Sequence, residues 1–209
     1  MRLSKLISII LHPVFIPFLT IFLVLNISPE LKNQIPNVNS LLYIYVITII
    51  SSFIIPLFFV FLLAKKDFIT SLELNLKKER LLPLLFSAAS MSIGFLCIEY
   101  FLIFPSFLKA MFLAAIIIVF LAVIISFFWK ISLHMLSIGG VLGVILAFNF
   151  TYAKAPLAIL FSFCICVLLG FARIKEKAHT KAQVLFGFLI GLLIEFYFIK
   201  AYLINTSII

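Results

Sequence analysis

Seven long apolar runs, separated by short gaps that hold nearly every charge, constrain this chain more than any motif does. Reading between charges places the runs at 6–26, 40–64, 81–104, 110–129, 133–150, 156–173 and 182–203. Each has about the 20 residues that carry an α-helix across the hydrocarbon of a bilayer. Of the 209 residues, 66% are hydrophobic and 11% charged, against roughly half and a quarter in an average soluble chain. No soluble core of this size would bury so much apolar surface, which excludes a soluble globular enzyme. Disorder is excluded as well, because it requires low hydrophobicity and high charge. The expected fold class is all-α: a polytopic transmembrane helix bundle of six to seven spans, forming one integral-membrane domain over residues 1–209.

The first run follows Arg2 and Lys5, as the apolar part of a secretion signal would. It is too long for that role, holds His12, Pro13 and Pro17, and lacks a small-residue cleavage site. It reads as a retained helix, kinked at its prolines. Cys97, Cys164 and Cys166 all lie inside runs, and an odd count within spans is no disulfide framework. They read as buried hydrophobes.

The net charge of +9 comes from 16 Lys and Arg against 7 Asp and Glu. Seven crossings put Arg2, Lys5, Lys65, Lys66, Lys77, Lys78, Arg80, Lys130, Arg173, Lys175, Lys177 and Lys181 on one face, here face A. Face B receives only Lys32, Lys109, Lys154 and Lys200. Cytoplasmic loops concentrate Lys and Arg, so face A is expected in the cytoplasm. Cations required for chemistry would inflate that count without reporting topology. No soluble basic domain exists to bind nucleic acid; anionic lipid head groups are the natural partners, and Lys130, Lys175, Lys177 and Lys181 read as topology signals or contacts to them.

Three polar patches fall on face A: residues 71–80 with Pro83 beyond, Trp129-Lys-Ile-Ser132-Leu-His134, and Arg173-Ile-Lys-Glu-Lys-Ala-His179-Thr-Lys-Ala-Gln183. Two of the three histidines lie in them, beside Arg or Lys. A phosphate ester carries charge that must be offset before a nucleophile approaches, and Arg offers bidentate hydrogen bonds to its oxygens. A neutral imidazole can attack phosphorus, splitting hydrolysis into two easier steps through a phosphohistidine. A second imidazole can protonate the departing oxygen and then activate water. Fixed cations stabilise the transferring group without a metal, so no cofactor is expected.

With that order and spacing, residues 65–200 resemble the core of the type-2 phosphatidic acid phosphatase superfamily. Arg173-x5-His179-x3-Gln183 is similar to its third signature, S-R-x5-H-x3-D; Ile131-Ser132-Leu133-His134 resembles the second, P-S-G-H; Lys77-Lys78-Glu79-Arg80 with Pro83 resembles a degraded first, K-x6-R-P. The resemblance implies that His179 is the nucleophile, His134 the general acid, and Arg173 a clamp on phosphate, with Arg80, Ser132 and Lys77 or Lys78 also binding it. The chain departs from the family at several points. Ala172 precedes Arg173 where the family has serine, Glu73 stands at the spacing of the first-signature lysine, and Leu81 follows Arg80 in place of proline. Gln183 replaces an aspartate. One helical turn after His179, its amide oxygen can accept a hydrogen bond from the ring and fix the tautomer, without supplying charge. His179-Thr180-x-x-Gln183 resembles dolichyl-diphosphatase-type members, which act on polyisoprenyl diphosphates. The implied activity is that of a membrane lipid phosphatase, a phosphoric ester or diphosphate hydrolase. Its implied substrates are polyisoprenyl diphosphates or lipids like phosphatidic acid, in the cytoplasmic membrane of a bacterium. Enzymes of this kind usually open away from the cytoplasm, against the cation count. A rival reading, prompted by the missing aspartate and weak first signature, is a non-catalytic binder or transporter of anionic lipids. Haem ligation by His134 and His179 is disfavoured because both sit beside cations.

Three further features lie outside the signatures. His12 reads as structural. Glu99 and Glu195 are acids within spans, both displaced by about 24–28 Å of helix from face A, where Lys109, Lys154 and Lys200 are expected to pair with them. Gly139-x3-Gly143 and Gly187-x3-Gly191 carry spacing that permits close helix contact; packed together, they would draw His134 and His179 towards one another.

Overall fold

The computed structural model describes residues 3–70, 74, 76–101, 106–152 and 156–206. Arg2, Ser71, Glu73 and Lys154 therefore lie outside the described residues. The described chain is helical, with no strand. The first span consists of α1 (Leu3–Ile10) and α2 (Ile16–Ile27), joined through a 3₁₀ turn at Pro13–Phe15; a short α3 (Pro29–Lys32) follows. The second comprises α4 (Val38–Ile49) and α5 (Ile55–Lys65), with a π turn at Ile50–Ile54 between them. A 3₁₀ turn at Lys78–Arg80 leads into α6 (Leu81–Phe101), followed by α7 (Ser106–Phe128), α8 (Leu133–Tyr152), α9 (Pro156–Lys175) and α10 (Lys181–Thr206). Among the described residues, seven helical segments are long and apolar enough to cross a membrane. The chain is an integral, multi-pass membrane protein.

Prolines shape the first two spans. His12 is extended at φ −68°, ψ 135°, as the residue before a proline is pushed to be, so the expected kink is a break in the helix. Near Pro56, which has no N–H to give, the backbone widens into the π turn. The Ser51 carbonyl there accepts a hydrogen bond from the Ser90 hydroxyl of α6 at 2.6 Å.

α8 is the most buried span and α10 its closest neighbour. The two run parallel, and their glycines interlock. A Cβ on Gly191 would lie 1.9 Å from the Leu136 carbonyl oxygen, one on Gly139 2.3 Å from that of Phe188, and one on Gly143 2.4 Å from that of Leu192. Backbone meets backbone, and no side chain fits. At the face-A end the Ser132 N–H donates to the Gln183 carbonyl at 3.4 Å, which puts the two histidine-bearing helix starts side by side.

The two intramembrane acids behave differently. Glu99 of α6 pairs with Lys109 of α7. Glu195 does not pair as expected: it is buried and forms no ion pair among the described residues, while Lys200 lies over the rings of Phe150 and Phe196. Helical side chains lean towards their N-terminus, here away from face B. The Cγ of Glu195 comes 3.2 Å from where a Cβ on Gly140 would stand, in space that exists only because that residue is glycine.

Candidate functional site

The starts of α6 and α8 and the turn between α9 and α10 surround the polar end of a cavity of about 470 Å³. Five basic side chains line it, Lys5, Arg80, Lys130, Arg173 and Lys177, against two acidic ones, Glu176 and Glu195. Its deeper part is walled by apolar residues of five spans, among them Ile21, Met91, Met111, Phe112 and Val141, down to Glu195. A charged mouth thus continues into an oily shaft.

Arg80 is nearly inaccessible and held from two sides. Its Nε donates to the Leu74 carbonyl and its Nη1 to the Ile131 carbonyl, both at 2.9 Å. The second bond ties the start of α6 to the strap before α8. A guanidinium has five donors, so two carbonyls do not exhaust it. Arg173 lies in the last turn of α9, and Lys177, in the left-handed region at φ 53°, turns the chain towards α10. That turn lets Arg173 and His179 line the same cavity.

His179 sits just before the N-cap of α10. Thr180 and Gln183 form a reciprocal cap: the Gln183 N–H donates to Thr180 Oγ1 at 3.3 Å, and the Thr180 N–H donates to Gln183 Oε1 at 3.1 Å. The same Oε1 lies 3.1 Å from His179 Nδ1. An amide oxygen only accepts, so Nδ1 carries the proton and Nε2 keeps its lone pair. Burial pulls the His179 imidazole down to about 4 from the ordinary 6.5; the charge of Arg80 adds to this, Gln183 opposes it, and Arg173 and Lys130 add smaller effects. Lys130 is lowered too, first by burial and then by Arg80 and Arg173. At neutral pH the ring is therefore an uncharged imidazole among cations, suited to nucleophilic attack on an anion.

His134 lines the same cavity, but its Nε2 is 3.0 Å from the Ser8 carbonyl oxygen of α1. A carbonyl only accepts, so the proton of the neutral ring is committed to the backbone of the first span. Ser132, carried over as a phosphate ligand, is fully buried, its Oγ has no hydrogen-bond partner, and it is not on the cavity wall. The backbone of Gly187 presses against it, a Cβ there lying 2.8 Å from the Ser132 carbonyl oxygen. Lys77 and Lys78 are exposed and off the wall. The structure thus gathers His179, His134, Gln183, Arg80 and Arg173, and leaves Ser132, Lys77 and Lys78 aside.

Sequence reasoning passed over three members of this wall. Lys130, read as a topology or lipid contact, lines the cavity beside Arg80. Glu195 closes the shaft. His12, read as structural, faces His134 edge-on with ring centroids 5.4 Å apart; its one sequence signal was a histidine before a proline within reach of face A. The Ser4 hydroxyl donates to the Glu176 carboxylate, holding α1 against α9 next to it. Among the described residues no group of three or more His, Cys, Asp or Glu is placed to hold a metal ion. Compared with protein-family models, curated proteins and solved structures, the chain matches none.

Proposed function

We propose that this protein is a membrane lipid phosphatase that cleaves a phosphomonoester or diphosphate from an amphiphile through a phosphohistidine at His179. One observation carries the reading: His179 presents an unprotonated Nε2, its tautomer set by Gln183, in a cation-lined cavity that deepens into an apolar shaft. Arg80, Arg173 and Lys130 offset the charge of the phosphoryl group as its bond to the leaving oxygen lengthens. The apolar shaft takes the hydrocarbon of the substrate. Polyisoprenyl diphosphates and lipids like phosphatidic acid are the substrate classes, as in the type-2 phosphatidic acid phosphatase superfamily that residues 65–200 resemble, and a bacterial cytoplasmic membrane is the setting.

The test is phosphate release from isoprenyl diphosphate, phosphatidic acid and phosphatidylglycerol phosphate by the purified protein in detergent with EDTA. Turnover of at least one, abolished in His179→Ala, is expected, together with an acid-labile phosphoryl group on the wild type that the variant lacks. No turnover of any, or equal turnover by the variant, defeats the reading. A second reading, a non-catalytic binder or transporter of anionic lipids, is favoured by one observation: the family-like acid, His134, has its proton tied to Ser8. Head-group-selective binding without turnover would select it.

A further inference from the structure

We propose that the seam between α1 and α5 is a lateral entrance, through which a lipid phosphate of the face-A leaflet passes its hydrocarbon chain into the cavity. This rests on the reading of that cavity as a lipid-phosphate site. The seam lies in the first two spans, outside the family-like region.

The two spans form a Y. Both are broken, the first at Pro13–Phe15 and the second at Ile50–Ile54, and the two breaks meet. Phe15 stacks on Phe53 there, with ring centroids 4.1 Å apart. On the face-B side of the breaks α2 packs against α4, and Phe18 lies edge-on to Tyr45 at 5.5 Å. On the face-A side the half-helices part. α1 packs on α9, held by Ser4–Glu176, and is tied to α8 by Ser8–His134. α5 packs on α6, where Phe59 stacks on Phe86 at 3.8 Å. Pro13 and Pro56, which cannot sit within a continuous helix ladder, supply the bends.

The rest of the wall is closed by packing. α1 meets α9, α9 meets α8, α8 meets α10, α10 meets α7, α7 meets α6 and α6 meets α5. Only between α5 and α1 is there no comparable packing among the described residues. Ile9 of α1 and Leu57 of α5 both line the cavity, yet they are 50% and 46% exposed. Residues that line a cavity and stay half accessible stand at its rim. With Val60 they make that rim apolar.

The cavity thus has two kinds of opening, a charged mouth and an apolar seam. A water-soluble phosphate ester needs only the mouth. A lipid entering that way would draw its chain through water, at a cost that grows with every methylene. Through the seam the chain stays in hydrocarbon throughout. Lys5 stands one helical turn from Ile9 on the same face of α1, towards face A, and lines the cavity too. An amphiphile moving sideways therefore meets a cation above an apolar edge, the order in which its own phosphate and chain are arranged.

The experiment narrows the seam and compares long chains with short ones. Wild type, the double variant Ile9→Trp with Leu57→Trp, and Leu168→Trp, an exposed position on α9 away from the cavity, are reconstituted in nanodiscs. Each receives phosphatidic acid and isoprenyl diphosphate, as long-chain forms in the bilayer and as short-chain, water-soluble forms. Phosphate release is measured, and the association rate of fluorescent long-chain forms is followed with the same substitutions on His179→Ala. Melting temperatures are recorded, and Leu57→Trp alone replaces the pair if the pair melts early. The double variant is expected to slow association and turnover of the long-chain forms by about tenfold or more, with their equilibrium affinity and the turnover of the short forms retained. Leu168→Trp should behave as wild type. No slowing by the double variant, equal loss on long and short forms, or equal slowing by Leu168→Trp overturns the inference while the phosphatase reading stands. Binding without turnover in the wild type defeats the phosphatase reading alone, and the association rates decide the entrance by the same criteria. A protein that neither binds nor cleaves these lipids removes both.

Discussion

At His179 one ring nitrogen is occupied and the other kept bare, and Gln183 decides which. Its oxygen accepts from His179 Nδ1 and from the Thr180 backbone together, so helix capping and tautomer selection rest on one atom. Gln183→Leu removes both: activity on lipid phosphates should fall by roughly 10²-fold, and stability by about 0.5–2 kcal/mol from the lost cap, read by kinetics and thermal melting. Gln183→Glu keeps the cap, since glutamate serves at that position as well, and places a negative charge beside the ring. The His179 value near 4 should then rise, and the acid limb of kcat/KM should move up from near pH 4 by about a unit or more. A pH profile unchanged between wild type and Gln183→Glu would show that Gln183 does not contact the His179 ring. The depressed value also carries a sign for folding. The unfolded chain binds the His179 proton below about 6.5 and the folded chain only near 4, so this contribution to stability is fully present above 6.5 and is lost as pH falls through 4.

Among the elements, α8 and α10 set the geometry, and four glycines set their separation. Gly191→Ala would drive a methyl group to 1.9 Å from a carbonyl oxygen, and the helices must part to admit it. A loss of about 1–3 kcal/mol is expected, with activity falling further than stability because His134 and His179 ride on the two helices. Gly170→Ala is the control: its Cβ would meet the flexible ends of Val184 and Met135 at 3.3–3.6 Å, and melting and activity should barely change. The spans and this glycine pairing were legible in the sequence because apolar length and residue size act locally. Ser132 was not, since its removal from the wall depends on how α10 presses on the strap before α8. His12 escaped because no spacing within the first span tells which way a residue before proline will face.

For the whole molecule, seven spans put the N-terminal helix and the site on one face and the end of α10 on the other. On face A, six described cations stand off the cavity wall, Lys65, Lys66, Lys77, Lys78, Lys175 and Lys181, against Lys32, Lys109 and Lys200 on face B. The asymmetry survives removal of the site, so the positive-inside rule still predicts that face A is cytoplasmic. Reporters fused before Leu3 and after Ile209 should therefore read opposite sides, the second outside. Both on one side would refute an odd number of crossings.

The bundle is also hollow. About 470 Å³ between the spans is unfilled by side chains, and the Glu195 carboxyl at its floor has no partner among the described residues. Whatever occupies that space binds the folded chain and not the unfolded one, and raises the melting point by mass action; a hundredfold excess over Kd is worth about 2.7 kcal/mol. The fold can therefore report its own ligand: a panel of lipids screened by thermal shift on His179→Ala, where nothing is consumed, would rank head groups and chain lengths before any reaction is assayed.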